Sequence, residues 1–286
     1  MQCGTARRLP GACHESWSLS RWPRAGARHR PGAEFGPTFV MLRSKIFLIT
    51  KRSFATSQHL TIGSIFSQTC QKNSSALSLI SSHQRIRLDY GRLSSVCTAF
   101  ASALLKLKYK RGDRIALALK NDAENLVTQL SCSMIGVSVV TAKDNDQLKQ
   151  LSAELSCKGL IIDASNGVKH ESDALVKDPL HPTIFTGHCG GINQSHLSFD
   201  ELVKSPIISI PSDIPAEIPV AFYGTSSKSV NHLDLIKSAH AILMELRLGT
   251  WDRVCLPVTL NHTFGFGSGS NLCSSPTCGV CADRSN

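Results

Sequence analysis

Three short, mostly apolar runs, Ile115-Ala116-Leu117-Ala118-Leu119, Val137-Ser138-Val139-Val140 and Leu160-Ile161-Ile162, lie about one helix-length apart, and this alternation constrains the fold more than any other feature of the chain. Runs this short, apolar at successive positions, suit strands buried on both faces. The segments between them have helical spacing. Asn121 with Glu124 three residues on has the pattern of a capping box. Leu126, Val127, Leu130 and Met134 follow, and Gly136 supplies a stop. Asp144 with Gln147 opens a second helix through Leu148, Leu151 and Leu155. Upstream, Asp89 is placed to cap a helix carrying Leu93, Val96, Phe100, Leu104 and Leu107, and Lys110-Arg111-Gly112-Asp113 makes the turn into the first strand. The order strand–helix–strand–helix–strand predicts an α/β fold with a parallel sheet and helices on both faces.

The period is lost over residues 164–216, which read as loops with one helical turn at Ser198–Leu202. An apolar run at 218–222 is a further strand. A helix beginning near His232 then carries Leu235, Ile236, Ala239, Ile242, Leu243 and Leu246 and stops at Gly249, and Val254-Cys255-Leu256 is another strand. Beyond Phe266 no pattern is visible, and residues 269–286 read as an unstructured Cys/Ser tail.

Between the strand at 218–222 and the helix near His232 lies Tyr223-Gly224-Thr225-Ser226-Ser227-Lys228-Ser229. A Gly/Ser/Thr/Lys turn between a strand and a helix is suited to phosphate: backbone N–H groups and hydroxyls meet the anion, the lysine adds charge and the helix N-terminus adds its dipole. The bland alternative is a solvated turn. Neither Ser226 nor Ser227 sits in the G-x-S-x-G pattern of a nucleophile elbow. Asp163, ending a strand, stands where a sheet's carboxyl edge meets ligands, although capping the next turn is the simpler role.

Charge narrows the partners. The formal net charge is +10, but residues 1–60 hold ten Lys/Arg against Glu15 and Glu34, a surplus of eight that leaves only two for the rest. A nearly neutral body excludes a nucleic-acid footprint on the folded part. Residues 1–40 read as a disordered basic extension. Residues 41–60, with four basic and no acidic residues among Ser, Thr and apolar ones, have the makeup of a mitochondrial transit segment, which places the protein in the matrix; the alternative is a cytoplasmic protein with a basic N-terminus. No run is long enough for a transmembrane helix. Most of the eleven cysteines are scattered and read as reduced thiols of an intracellular protein. Cys273, Cys278 and Cys281 cluster, but their spacing is not a usual zinc pattern, and no metal site is assigned.

Three blocks in order resemble the AMP-forming acyl-CoA synthetases of the adenylate-forming superfamily. Leu88-Asp89-Tyr90-Gly91-Arg92-Leu93 with Lys110-Arg111-Gly112-Asp113-Arg114-Ile115-Ala116 is similar to "LTYxEL … KGDRVAI". Leu119-Lys120-Asn121-Asp122-Ala123-Glu124 with Gly136-Val137-Ser138-Val139-Val140 is similar to "LPNxxE … GAVxVP". Asp252-Arg253-Val254-Cys255-Leu256-Pro257 with Asn261-His262-Thr263-Phe264-Gly265 resembles "DRVLxxLPLFHxxG". The resemblance spans residues 61–268 and implies the incomplete first half of the family's N-terminal domain. It implies an ATP-dependent carboxylic acid (fatty acid)–CoA ligase acting through an acyl-adenylate, with ATP, Mg2+ and coenzyme A as cofactors and a small-molecule carboxylate as substrate. Carried over by position, Gly224, Thr225, Ser226 and Lys228 are the phosphate contacts and His262 lies near the acyl pocket. The turn departs from the family's "YTSGTTGxPKG": it is two residues shorter, and lacks the second glycine and the proline, while Ser229 replaces the last glycine. The family's "YGxTE" and "GDxG" segments and its C-terminal domain have no counterpart in the sequence, so the chain reads as truncated, with a non-catalytic nucleotide- or acyl-binding remnant as the alternative.

Overall fold

The computed structural model describes residues 60–142, 145–164, 181–187, 196–223, 229–248, 252–270 and 278–282. Helix α1 (Ile62–Lys72) starts on a capping box in which Thr61 and Ser64 bond each other's backbone N–H. A hairpin of β1 (Leu77–Ser81) and β2 (Ile86–Asp89) follows. Helix α2 (Tyr90–Lys106) is capped by Asp89, whose carboxylate accepts from Arg92 N–H at 2.7 Å, as the sequence predicts. Then come β3 (Arg114–Ala118), α3 (Ala123–Ile135), β4 (Ser138–Thr141), α4 (Asn145–Glu154) and β5 (Gly159–Asp163). Each strand falls within a residue or two of the expected run. Gly136 closes α3 in the left-handed conformation at φ 71°. Asp144, the expected cap of α4, lies outside the described residues.

These elements join β6 (Ile184–Thr186), β7 (Leu197–Ser198) and, after the helical turn α5 (Phe199–Leu202), β8 (Pro219–Tyr223) and β9 (Ser229–Asn231). The seven strands are ordered β7-β6-β5-β3-β4-β8-β9. Every pair is parallel except β8–β9. Side chains alternate between two cores, which is why the strands read as continuous apolar runs. Ile115, Leu117, Val139 and Ile161 enter the larger core under α1, α2 and α3. Ala116, Leu160, Ile162, Val140 and Phe222 face the other way and pack with Leu148 and Leu151 of α4 and Leu155 just after it. The expected α/β fold, a parallel sheet clad on both faces, is what the structure shows.

Several expectations need correction. Helix α6 (His232–Leu246) buries His232, Leu235, Ile236 and Ala239, but its second half does not: Leu246 is 58% exposed. It ends at Arg247 in the left-handed region, φ 51°, two residues before Gly249, which lies outside the described residues. The strand expected at Val254–Leu256 is present as β10 (Asp252–Leu256), in a second sheet ordered β10-β11-β1-β2. Its neighbour β11 (Cys278–Ala282) comes from the stretch expected to be unstructured, where a five-residue strand gains backbone hydrogen bonds on both sides without any side-chain period to announce it. Cys273 and the N-terminal segments 1–40 and 41–59 lie outside the described residues. Cys97 and Cys132 are buried free thiols, and burial pushes both well up from the ordinary thiol range. Among the described residues no helix is long and apolar enough to cross a membrane.

Candidate functional site

The connection from β3 runs to α3 on one face of the sheet, and the connection from the adjacent β4 runs to α4 on the other. Where neighbouring parallel strands diverge in this way, a crevice opens at their carboxyl ends, the usual ligand position of an open α/β sheet. The segment from Val258 to His262, leaving β10, is held at this edge by side chains of the β3–α3 connection and α3. Asn121 Nδ2 donates to Val258 O at 2.9 Å, and its Oδ1 accepts from Leu260 N at 2.7 Å. Gln129 Nε2 donates to Leu260 O at 3.0 Å. Asn125 Nδ2 donates to Asn261 Oδ1 at 3.0 Å, Asn261 Nδ2 donates to Leu119 O at 2.7 Å, and Thr141 Oγ1 donates to Asn261 O at 2.9 Å. Leu260 and Phe266 anchor the segment in the core, and His262 stands exposed between them. Its Nδ1 accepts from Phe264 N–H at 3.1 Å, so a neutral ring carries its proton on Nε2.

Asn121, just before α3, and Asn125 and Gln129 on it are spaced four apart and form a polar stripe, and every residue of α3 is buried. That stripe was the readable signal for this network, and a capping reading of Asn121 hides it. The cap is made differently. Gln84, from the β1–β2 turn, accepts from Ala123 N at 2.8 Å and donates to Glu124 Oε2 at 2.7 Å. Asp122 at the cap position bonds His83. Asn121 is unavailable because both ends of its amide hold the Val258–Leu260 backbone. Burial pushes the Glu124 carboxyl up to about 7. Asn121→Ala orphans one buried N–H and one C=O, and should cost about 2 kcal/mol by chemical denaturation; a stability within 0.5 kcal/mol (roughly the spread of neutral substitutions) would contradict the network.

The sequence-predicted phosphate contacts Gly224, Thr225, Ser226 and Lys228 lie outside the described residues. Their frame does not, and it changes the expectation. The turn joins β8 to β9 as an antiparallel hairpin rather than leading into a helix. Helix α6 begins after β9 has run back along β8, with Asn231 opposite Pro219. At about 3.3 Å per residue the helix N-terminus lies roughly 10 Å from the turn, so its dipole is not aimed there. What remains is position: β8 is parallel to β4, and Tyr223 ends it at the same carboxyl edge that carries His262. Asp163 at this edge pairs with Lys120 at 3.1 Å, tying the ends of β5 and β3. Among the described residues no group of three or more His, Cys, Asp or Glu side chains could hold a metal ion.

Comparison with known proteins agrees with this frame. The family model for the AMP-binding enzymes matches residues 66–204, a stretch that ends before both the 224–228 turn and His262. YngI of Bacillus subtilis, named as an acyl-CoA synthetase, is 22% identical over an alignment of 250 residues that covers 76% of this chain and 46% of YngI. The mouse mitochondrial medium-chain acyl-CoA ligase ACSF2 is 29% identical over 112 residues, covering 37% of this chain and 18% of that protein. The chain thus spans about half or less of the length of these relatives. Among solved structures, MbtA of Mycobacterium smegmatis aligns with a TM-score of 0.66 at 17% identity, over 78% of this chain and 44% of that one. The o-succinylbenzoate-CoA synthetase MenE of Bacillus subtilis, solved with ATP and magnesium, aligns with a TM-score of 0.61 at 19% identity, over 76% and 56%. The fold, the order of the three sequence blocks and the family match converge: the chain belongs to the AMP-binding, adenylate-forming enzyme family and covers part of a full-length member.

Proposed function

We propose that this chain carries the first part of an ATP-dependent carboxylic acid–CoA ligase that works through an acyl-adenylate. The observation that carries the reading is the buried stripe of Asn121, Asn125 and Gln129, which docks the His262 segment at the carboxyl edge where β8 delivers the 224–228 turn. Backbone amides of Gly224, Thr225 and Ser226 and the ammonium of Lys228 would hold the β- and γ-phosphates of ATP. A carboxylate oxygen of the acid attacks the α-phosphorus and pyrophosphate leaves; coenzyme A thiolate then attacks the acyl carbonyl and AMP leaves. His262 lines the acid side of the crevice. Catalysis of this kind is positioning and charge stabilisation. The name of ACSF2, a medium-chain acyl-CoA ligase, favours a medium-chain carboxylic acid such as a fatty acid as the substrate class.

ATP–pyrophosphate exchange on the purified chain with a panel of carboxylic acids tests the reading. Exchange that depends on one acid class supports it, and no exchange beside an active full-length relative overturns it for this chain. Lys228→Ala removes one charge-assisted contact and should weaken ATP binding about tenfold by calorimetry; unchanged affinity would remove Lys228 from the site. The shortened turn, with fewer glycines to bring backbone close to phosphate, favours a second reading, a nucleotide-binding remnant, for which ATP would bind without any exchange. The basic, acid-free composition of residues 41–60 and the mitochondrial naming of ACSF2 support a matrix location. Residues 1–60 fused to a fluorescent protein should then co-localise with mitochondria, and a diffuse signal would refute this.

A further inference from the structure

The amides at this edge form one directed chain. Tyr223 Oη donates to Gln129 Oε1 at 3.3 Å; Gln129 Nε2 donates to Asn125 Oδ1 at 2.7 Å and to Leu260 O at 3.0 Å. Asn125 Nδ2 donates to Asn261 Oδ1 at 3.0 Å and to Lys120 O at 2.8 Å, and Asn261 Nδ2 donates to Leu119 O at 2.7 Å. Every link runs the same way, so no amide can flip without setting donor against donor. Tyr223, Gln129 and Asn125 are all buried, with Gln129 1% and Asn125 0% exposed. Groups this deep are costly unless fully satisfied, and chains of them polarise one another. An apolar helix would pack here without that cost. What the chain adds is a fixed registry between two pieces of backbone far apart in sequence.

We propose that Gln129 is a positioning residue that locks the carboxyl end of β8, at Tyr223, to the His262-bearing segment, so that the two move as one unit. The inference deepens the ligase reading above and rests on it for its purpose, because Tyr223 is the last residue before the turn assigned to phosphate and His262 belongs to the acid side. An acid held by one piece and a nucleotide held by the other would keep a constant spacing.

The full chain tests this without any ligand. Tyr223→Phe keeps the ring and removes the first donor of the chain. Amide exchange at Leu260–Phe266 should accelerate roughly tenfold, and the ring resonance of His262 should shift. Val220→Ala, in the same strand but outside the chain of amides, should change neither beyond what its loss of overall stability accounts for. Gln129→Met, which keeps length but neither donates nor accepts strongly, should reproduce the Tyr223→Phe pattern more severely and covers a failure of that variant to fold. If exchange at Leu260–Phe266 responds equally to Tyr223→Phe and Val220→Ala, the positioning role is overturned. ATP titration of the wild-type chain is run separately: absence of binding sinks the nucleotide reading, while the exchange pattern still decides whether Gln129 couples the two segments.

Discussion

Gly265→Ala is expected to cost about 4 kcal/mol of unfolding free energy and to abolish any ligand response of the His262 segment. Gly265 lies in the π-helical stretch Thr263–Ser270 that follows His262. A methyl group there would overlap the carbonyl oxygen of Thr259, sit 2.7 Å from its carbon and 3.2 Å from Leu260 Cα. These are backbone atoms, so no rotamer change relieves the clash. Nor can the opposing backbone retreat, because Leu260 N is held by Asn121 and Leu260 O by Gln129. Moving it would break both bonds and leave buried donors and acceptors unpaired. Gly267→Ala provides the contrast. Its methyl would come too close to Leu235 Cδ2, at 2.5 Å, the far end of a flexible side chain, and its other neighbours would sit at ordinary contact distance. That substitution should cost about 1 kcal/mol. Urea unfolding of the pair decides the matter: equal stabilities would mean that the 259–260 backbone is free to move and that the buried amides do not pin it.

The strands β3, β4 and β5 were legible in the sequence because a sheet buried on both faces needs apolar residues at successive positions. Asp89 and Gly136 were legible because a cap and a left-handed stop demand particular residue types. The hairpin of β8 and β9 was not. Three residues, Ser229-Val230-Asn231, show no period, and the turn therefore looked like the entry to a helix. With β9 in place, the helix dipole drops out of the phosphate argument, and the shared carboxyl edge takes over. Asn121 was misread for a different reason. Asn followed three residues later by Glu fits a capping box, but the backbone of Val258 and Leu260 competes for the same amide, and that competition involves contacts more than 130 residues apart. Glu124 is likewise claimed by Gln84, from a hairpin 40 residues upstream. Long-range polar contacts leave no local pattern, whereas the four-residue spacing of Asn121, Asn125 and Gln129 into a fully buried helix does, and it points to the network.

The stability of the wild-type fold should vary little between pH 4.5 and 6.5, because two buried groups pull in opposite directions across that window. Burial pushes Glu124 up to about 7 from an ordinary 4.5. The folded chain then binds a proton that the unfolded chain has released, so this contribution is complete below 4.5 and is lost as pH rises through 7. Burial pushes His232 down to about 4 from 6.5. Its Nδ1 accepts from Ile62 N–H at 3.3 Å at the start of α1, and its Nε2 has no hydrogen-bond partner among the described residues, so the neutral ring is the form that fits. This contribution is complete above 6.5 and is lost as pH falls through 4. Each amounts to about 3 kcal/mol at full displacement. Single substitutions should unmask the opposing slopes. Glu124→Gln keeps an acceptor for Gln84 and removes the titration. It should be neutral near pH 4.5 and stabilise by up to about 3 kcal/mol at pH 8, leaving a profile that only rises with pH. His232→Asn keeps an oxygen where Nδ1 accepts from Ile62 and removes the other titration. It loses a ring's worth of packing at every pH, and its remaining profile should fall from pH 4.5 to 7. Chemical denaturation at half-unit intervals separates these outcomes. A Glu124→Gln profile parallel to wild type would show that the carboxyl is already solvated in the fold, and a His232→Asn profile as flat as wild type between pH 4.5 and 6.5 would show that His232 does not supply the opposing slope.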